Sequence, residues 1–257
     1  MVVTTYTIRK KLTGENIPAI QHIRIALVAD LHDGEYTQLL SEIRAAAPDM
    51  IAIAGDLMND NRDGVTIPEE QTHAIGFLKE AVKIAPTFYS LGNNERIVDK
   101  SGEPVDWEVV KETGAVLLDN SYVNWNGIWI GGLSSAYSHF RHNRSAPVRH
   151  RLTNTDWIKE FDALPGFKIL LCHHPEYYPP YLLDTDIDLI LSGHSHGGQW
   201  RIFGHGIYSP GQGFFPKLTS GVYDERLVIS RGLANTIRAP RINNPPELVI
   251  LDIFLET

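Results

Sequence analysis

Side chains able to bind metal ions recur at the ends of short apolar segments of this sequence. Five such segments are each followed by a carboxylate, an imidazole or a carboxamide, and these oxygen and nitrogen ligands suit a divalent ion such as Mn, Fe or Zn. In chain order the residues are Asp30 and His32, Asp56, Asn93, His173 and His174, and His194 and His196. Each motif alone also fits an exposed strand end or an ordinary turn. Their recurrence at five segment ends predicts a metal site.

Two of these motifs place their residues two positions apart. Asp30 and His32 form one pair, and His194 and His196 form the other. Alternate side chains of an extended segment share a face, so each pair is expected to project to one side. Glycines flank the second pair and let the backbone approach closely. A histidine pair between glycines adds little to packing, which favours metal binding for that motif.

The segments that carry these residues predict strands alternating with helices. Strands are expected over 23–30, 50–56 and 87–93, with amphipathic helices over 36–47 and 69–84. This order indicates a parallel sheet covered by helices. Ligands of such sheets bind outside the carboxyl ends of the strands. The predicted metal-binding residues are therefore expected to meet at one edge of the sheet.

The rest of the chain predicts a second sheet. Strands are expected within 115–133 and over 167–174 and 187–194. The sequence that follows is rich in Gly, Pro and β-formers and predicts a more antiparallel sheet whose last strand covers 245–254. We predict an α/β fold in four layers (α+β four-layer), with two mixed β-sheets packed face to face as a sandwich and helices outside. No repeat or linker divides the chain, so residues 1–257 are expected to form one domain.

Composition narrows the classes of partner and compartment. The formal net charge of −8 disfavours a nucleic-acid partner, because polyanions are repelled. Cys172 is the only cysteine and excludes an internal disulfide. No apolar stretch reaches the roughly 18 residues of a membrane-spanning helix, and the N-terminus lacks the apolar run of a signal peptide. The sequence as it stands favours the cytoplasm, although a membrane-peripheral or exported protein trimmed of an N-terminal segment would look the same.

The ordered motifs DLH, GDL, GNNE, HHP and GHSH resemble those of the calcineurin-like metallophosphoesterases, whose pattern is D-x-H, G-D, G-N-H-D/E, H and G-H-x-H. The later segments SPGQG, SGVY, VISRGLANT, IRAP and NPPELVILDI make the resemblance closest to the bacterial YkuE/YaeI-like phosphodiesterases. The resemblance implies two divalent metal ions, the first held by Asp30, His32, Asp56 and His196, and the second held by Asp56, Asn93, His173 and His194.

The activity that this resemblance implies is hydrolysis of phosphoesters, phosphodiesters in particular. Two metal ions about 3.5–4 Å apart lower the pKa of a bridging water, so that hydroxide forms near neutral pH and attacks phosphorus in line. The ions also polarise the phosphoryl oxygens. The expected substrate is a small-molecule or lipid-like phosphoester.

One position departs from the family pattern. The residues that match G-N-H-D/E are Gly92, Asn93, Asn94 and Glu95, so Asn94 stands where the family has a catalytic histidine near the leaving group. A carboxamide donates hydrogen bonds but cannot act as a general acid, and loss of such an acid lowers rates by about 10²–10⁴. Three interpretations stay open: an engineered inactivating substitution, a natural enzyme that is weaker or differently specialised, and a non-catalytic homologue that binds metal and phosphate esters. His174 as a replacement acid is disfavoured, because adjacent residues of a strand point in opposite directions.

Two further segments are candidates for substrate binding. The basic stretch 134–151 contains Arg141 and Arg144, and it is either a solvated loop or a rim that binds an anionic substrate through planar guanidinium groups. The segment GQGFFPK over 211–217 is either an apolar lip for a lipid or aryl group, or a site where Phe214 and Phe215 pack into the core.

Overall fold

The computed structural model of the protein describes residues 1–11, 20–59, 67–95, 105–135, 156–235 and 240–256. In chain order the strands are β1 (Val2–Lys11), β2 (His22–Val28), β3 (Met50–Ala54), β4 (Thr87–Ser90), β5 (Val116–Leu118), β6 (Ser121–Trp125), β7 (Ile128–Leu133), β8 (Lys168–Cys172), β9 (Leu189–Ser192), β10 (Arg201–Ile202), β11 (His205–Gly206), β12 (Tyr208–Ser209), β13 (Gly213–Phe214), β14 (Gly221–Tyr223), β15 (Leu227–Ile229) and β16 (Glu247–Glu256). The helices are α1 (Thr37–Ala46), α2 (Thr72–Ala81), α3 (Glu108–Lys111) and α4 (Asp156–Asp162).

The strands form two six-stranded mixed sheets. The first sheet has the order β1-β16-β2-β3-β4-β5, in which β2 to β5 run parallel and β16 runs antiparallel to β2. The second sheet has the order β14-β15-β9-β8-β7-β6, with β15, β9, β8 and β7 parallel and an antiparallel strand at each edge. The remaining strands, β10 to β13, form two short hairpins.

Successive side chains of each strand point to opposite faces of its sheet, and the apolar ones form three layers. In β3, Met50 and Ala52 pack between the two sheets, whereas Ile51 and Ile53 pack under the outer helices. In β8, Leu171 packs between the sheets, and its neighbour Leu170 faces the outer layer of the second sheet. Both faces of each central strand are buried, so these strands are continuous apolar runs. The predicted four-layer α/β sandwich is confirmed.

Helix α1 illustrates how the local sequence matches its layer. Leu39, Leu40 and Ile43 fall on one face and are buried against the first sheet. Ala47 ends the helix in the left-handed region at φ 47°, and its N–H donates to the Ile43 carbonyl. Pro48 follows and cannot continue the helix. Helix 36–47 is thus confirmed to within one residue at each end.

Two expectations for the sheets were wrong. The strand predicted over 245–254 is β16, which lies inside the first sheet between β1 and β2 and not at the end of the second. Among the described residues after 198, β14 and β15 alone join the second sheet, and β15 pairs with β9 in parallel. Strand β1 was not predicted, because it is half-exposed and its partner β16 lies at the other end of the chain. Pairing between chain ends leaves no local signal of the partner.

The parallel strands direct their carboxyl ends to a common edge. Strands β2, β3 and β4 end at Val28, Ala54 and Ser90 in one sheet. Strands β8 and β9 end at Cys172 and Ser192 in the other. The loops that follow are joined by backbone hydrogen bonds, such as Asp30 N–H to the Gly55 carbonyl and Gly193 N–H to the His173 carbonyl. No described helix is both long and apolar enough to cross a membrane.

Candidate metal centre

The structure brings the predicted metal-binding residues into two adjoining groups. In the first ligand group, Asp30, His32 and His196 each offer one atom, and these atoms lie within 4.8 Å of one another. In the second ligand group, Asp56, His173 and His194 meet the same condition. All six residues are buried. Residues from four different loops therefore converge on one place, as the recurrence of the motifs predicted.

Asp56 lies between the two groups. Its Oδ2 atom is 3.3 Å from His173 Nε2 in its own group. The same oxygen is 3.7 Å from His32 Nε2 in the first group. Asp30 of the first group likewise approaches the second group, since its Oδ1 is 3.9 Å from His173 Nε2. A carboxylate in this position can bind two cations at once.

Two imidazoles present lone pairs to the space between the carboxylates. His173 Nδ1 lies 2.7 Å from the Ala54 carbonyl, which can only accept, so Nδ1 carries a proton and Nε2 is the nitrogen left to bind a metal ion. His32 Nδ1 lies 3.1 Å from Asn59 Oδ1, to which it can donate, and 2.9 Å from Asn94 Nδ2, from which it can only accept. Donation to Asn59 leaves Nε2 free to bind a metal and requires the Asn94 contact to open. Such outer hydrogen bonds fix the tautomer of metal-binding histidines.

Unpaired polar atoms support this assignment. Among the described residues no hydrogen-bond partner reaches His32 Nε2, His173 Nε2 or Asn93 Oδ1, although each atom is buried. Leaving a buried polar atom unpaired costs about 1–3 kcal/mol. A divalent cation would satisfy all three atoms, because neutral imidazole nitrogen and carboxamide oxygen are both metal ligands. The residues present therefore fit a metal site.

The buried charges lead to the same conclusion. Burial alone would raise the pKa of Asp56, but the His173 and His32 imidazoles hold it well below the usual range of an aspartate. Burial alone would lower the pKa of His173, but the Asp56 and Asp30 carboxylates raise it to about 10. The buried carboxylates thus attract one positive charge, a proton on His173 or a metal ion in its place.

The backbone reaches this geometry by a route that alternation did not predict. Both Asp-x-His and His-x-His were expected to be extended. The residues instead occupy the left-handed region, with φ of 55° at Asp30, 52° at His32, 50° at Asp56, 63° at His194 and 45° at His196. Such conformations cost about 1–3 kcal/mol each in non-glycine residues and cluster at functional sites. The side chains converge because tight turns follow the strand ends.

Close approach between loops explains one glycine of the GNNE motif. A Cβ atom on Gly92 would lie 2.2 Å from Asp56 Oδ1 and 2.4 Å from the Asp56 nitrogen. The loop after β4 can therefore touch the loop after β3 only when this position lacks a side chain.

Glu95 connects the same two loops, a role that the sequence analysis missed. Its side chain is buried, and Oε2 accepts hydrogen bonds from the Asp56 N–H at 2.8 Å and the Gly92 N–H at 2.6 Å. Oε1 accepts from the Met58 N–H at 2.8 Å and the Tyr89 hydroxyl at 2.7 Å. Burial and the Asp56 charge raise the pKa of Glu95. The last residue of GNNE thus positions the candidate ligands, and its place in the motif was the signal available.

Asn94 lies against the centre. Its Nδ2 atom is 2.9 Å from His32 Nδ1, and its backbone N–H donates to Asp56 Oδ1 at 2.8 Å. Its Oδ1 accepts from Asn93 Nδ2 at 3.2 Å. The residue at the position of the family histidine is thus in contact with both ligand groups.

A third cluster borders the second ligand group. Glu176 Oε1 lies 3.1 Å from His174 Nδ1 and 3.4 Å from His194 Nε2. The ring centroids of His174 and His194 are 4.0 Å apart. His174 was expected to point away from the site, but β8 ends at Cys172, so strand alternation no longer applies to His173 and His174. Burial would raise the pKa of Glu176, yet the two imidazoles hold it well below its usual range.

The outer ring nitrogen of His196 contacts a guanidinium group, whereas that of His173 contacts a carbonyl oxygen. His196 Nδ1 lies 3.2 Å from Arg241 Nη2, and a guanidinium can only donate. His196 Nε2 is 3.5 Å from Asp30 Oδ1. Binding of a metal ion by Nε2 places the ring proton on Nδ1. Because Nδ1 and Arg241 Nη2 are then both donors, the contact between them must open. Arg241 is therefore a third residue near the centre, after Glu95 and Glu176, that sequence patterns did not reveal. Arg141 and Arg144 lie outside the described residues.

Comparison with known proteins places the chain in a family. The profile described as calcineurin-like phosphoesterase matches residues 23–198, more than half of the chain. The uncharacterized protein YpbG of Bacillus subtilis (strain 168) is 29% identical over 236 residues, which are 90% of this chain and 81% of that protein. The uncharacterized metallophosphoesterase Cj0846 of Campylobacter jejuni is 31% identical over 233 residues, which are 89% of this chain but only 57% of that protein.

A third relative has a name that states an activity. The UDP-2,3-diacylglucosamine pyrophosphatase LpxG of Chlamydia muridarum is 36% identical over 104 residues, which are 37% of this chain and 30% of that protein. The profile match covers all five motifs that carry the candidate ligands. The chain therefore belongs to the calcineurin-like phosphoesterase family.

Proposed function

We propose that the protein hydrolyses phosphoesters, phosphodiesters in particular, with two divalent metal ions bound at the candidate centre. The first ligand group with Asp56 would hold one ion, and the second ligand group with Asn93 would hold the other. The observation that carries this proposal is the position of Asp56 Oδ2, 3.7 Å from His32 Nε2 and 3.3 Å from His173 Nε2, two nitrogens of different groups that receive no hydrogen bond from the described residues. Manganese, iron and zinc all suit this mixed set of nitrogen and oxygen ligands.

Bound divalent ions would supply an activated water and would neutralise charge on the phosphoryl group. The protein would contribute the fixed positions of the ligands. The Ala54 carbonyl orients His173, and Glu95 holds the Asp56 and Gly92 loops together. Pre-organisation of this kind removes the need for rearrangement during the reaction.

Asn94 would bind the substrate without transferring a proton. Its contacts with His32 and Asp56 place its carboxamide beside both ligand groups, where it can donate to a phosphoryl oxygen. It has no proton to release near neutral pH. We therefore expect hydrolysis to be efficient only for esters whose leaving groups need little protonation. This expectation holds whether Asn94 is natural or introduced.

The substrate class that we propose is a lipid-like or small-molecule phosphoester. The name of the Chlamydia muridarum relative, a pyrophosphatase of a diacylated sugar nucleotide, supports the lipid-like option. Arg141 and Arg144 remain candidates for a rim that binds the anionic part of the substrate. The YkuE/YaeI-like branch also remains a prediction.

The second candidate function is non-catalytic binding of metal and phosphate esters. Asn94 favours it, because the family position for proton transfer is occupied by a group that does not titrate. Tight binding of a phosphodiester without turnover by the metal-loaded protein would distinguish this function from the first.

The test is hydrolysis of bis(p-nitrophenyl) phosphate, whose leaving group needs no general acid. We expect turnover by the manganese-loaded protein, loss of turnover after chelation, and recovery when manganese is added back. Asp56→Asn should be inactive, since it removes the charge between the two ligand groups. Asp119→Asn, which changes an exposed carboxylate, is the matched control and should retain activity. Absence of turnover in the loaded protein, even with Asn94→His, would reject the enzymatic proposal.

A further inference from the structure

Three phenylalanines beside the candidate metal centre are exposed to solvent. The exposed fraction is 98% for Phe203, 70% for Phe214 and 76% for Phe215. Phe203 lies in the turn of the β10–β11 hairpin, and the other two lie at the end of the β12–β13 hairpin. The alternative that Phe214 and Phe215 pack into the core is wrong. We call these three residues the aromatic ridge.

The backbone holds the two hairpins together. Phe215 N–H donates to the Ile207 carbonyl at 2.8 Å. Ile207 N–H donates in turn to the Gly198 carbonyl at 3.0 Å, at the end of the turn that begins with His196. The hairpins are therefore attached to the loop that carries the candidate ligands.

Two residues of the ridge adopt an unfavourable backbone conformation. Phe203 has φ of 50° and Phe215 has φ of 54°. The left-handed region suits glycine or asparagine, and a bulky side chain there is a genuine outlier. The isolated chain thus has two local disadvantages at these positions, a strained backbone and an apolar ring in water. Binding of an apolar partner would remove the second and explain why phenylalanine occupies these turns.

The sequence around the ridge lacks the acidic residues that give the whole chain its negative charge. The net charge is −8, and the chain contains 31 acidic residues. The stretch from Leu189 to Tyr223 nevertheless contains no Asp or Glu. Arg201 beside the β10–β11 turn is half-buried and donates to the Gly197 and Gly204 carbonyls, whereas Lys217, two residues after the ridge, is exposed. Exposed aromatic rings beside a lysine suit the interface of an anionic bilayer, where rings reach the acyl boundary and the cation meets the head groups.

The ridge also lies close to the candidate centre. A Cβ atom on Gly211, three residues before Phe214, would lie 1.9 Å from Glu176 Oε1 and 3.5 Å from His194 Nε2. The loop that leads to the ridge therefore rests on the second ligand group.

We propose that Phe203, Phe214 and Phe215 insert into the interfacial region of an anionic lipid bilayer. Lys217 contacts the head groups. The candidate metal centre is then held at the lipid surface, where a phosphoester embedded in the bilayer can reach it. Docking itself depends on the ridge and not on catalysis, so it can be measured in the absence of turnover.

The test is flotation of the full chain with lipid vesicles. Vesicles of phosphatidylcholine with phosphatidylglycerol should carry the protein upward, and vesicles of phosphatidylcholine alone should carry less. The triple variant Phe203→Ser, Phe214→Ser, Phe215→Ser should lower the partition coefficient at least about tenfold, since binding scales with buried apolar area. Leu183→Ser is the matched control, because Leu183 is also exposed, at 46%, but lies outside the ridge. Its partition should be unchanged.

A second measurement keeps the proposal testable if the triple variant folds poorly. Phe214→Trp places a fluorophore on the ridge, and brominated lipids should quench its emission, whereas Leu183→Trp should gain no quenchable signal. Absence of binding to anionic vesicles would overturn the proposal, as would equal binding by the triple variant. A concentration-dependent dimer that the triple variant abolishes, without vesicle binding, would assign the ridge to a second copy of the chain and also overturn it.

Discussion

Replacement of Glu95 with glutamine tests how the two loops around Asp56 are held together. The carboxylate accepts four hydrogen bonds. Three of them come from backbone N–H groups, which can donate but cannot accept. A glutamine oxygen in place of Oε2 keeps the bonds from Asp56 and Gly92. The amide nitrogen then faces the Tyr89 hydroxyl, which can accept, and the Met58 N–H, which cannot. The opposite orientation is worse, because it leaves both Asp56 N–H and Gly92 N–H unpaired.

The least costly arrangement therefore loses one buried backbone hydrogen bond. An unsatisfied buried donor costs about 1–3 kcal/mol. We expect Glu95→Gln to lower the free energy of unfolding by about 1–3 kcal/mol, a large part of the total stability of a typical domain. The affinity for manganese should fall about 10–100-fold, as is usual when groups that orient metal ligands are lost.

Urea unfolding of the metal-free protein measures the first effect, and calorimetric titration with manganese measures the second. Tyr89→Phe is the matched control, since it removes one donor to the same carboxylate but leaves the three backbone bonds in place. It should cost about 0.5–1.5 kcal/mol and leave metal affinity nearly unchanged. If Glu95→Gln changes the free energy of unfolding by less than that of Tyr89→Phe and leaves manganese binding intact, the assigned role of Glu95 is wrong.

Three other changes have defined outcomes. Asn94→His restores a titratable group and should raise turnover of unactivated phosphodiesters by about 10²–10⁴, with a much smaller gain for nitrophenyl esters; equal gains in steady-state assays would contradict the missing-acid explanation. Glu176→Gln removes the negative charge 3.4 Å from His194 Nε2, so manganese affinity measured by calorimetry should fall about tenfold, and an unchanged affinity would exclude a positioning role. Asp252→Asn should lower stability by no more than about 1 kcal/mol at neutral pH, because solvent screens its partly exposed pair with Arg24. The Arg24 hydrogen bond lowers the pKa of Asp252 below 3.8, so this contribution is present above that pH and is lost as the pH falls through the lowered value. Urea unfolding of the variant and the unchanged protein at several acidic pH values tests this. If their difference in free energy of unfolding persists in strong acid, the ion pair is not its source.

The sequence could predict the central strands and the helices of the first half, because their apolar periodicity is local. It could not predict that β1 and β16 pair with each other at one side of the first sheet. Their register, from Val2 opposite Glu247 to Lys11 opposite Glu256, joins the two ends of the chain. No local pattern encodes such a partner. The extent of the chain as a single domain remains a prediction.

The candidate site was predicted for a partly wrong reason. The recurrence of ligands at strand ends predicted that seven residues converge, and six of them lie in the two ligand groups, whereas Asn93 as a ligand stays a prediction. The assumed extended geometry failed, since the turns place five of them in the left-handed region. Glu95, Glu176 and Arg241 were missed as positioning groups, because their roles depend on contacts between loops distant in sequence.

The proposed hydrolysis depends most directly on two metal ions that share Asp56. Anomalous diffraction from manganese-soaked crystals tests this claim. We predict two anomalous peaks about 3.5–4 Å apart, one in each ligand group, both within coordination distance of Asp56. A single peak, or peaks remote from Asp56, would contradict the dinuclear assignment on which the proposed chemistry rests.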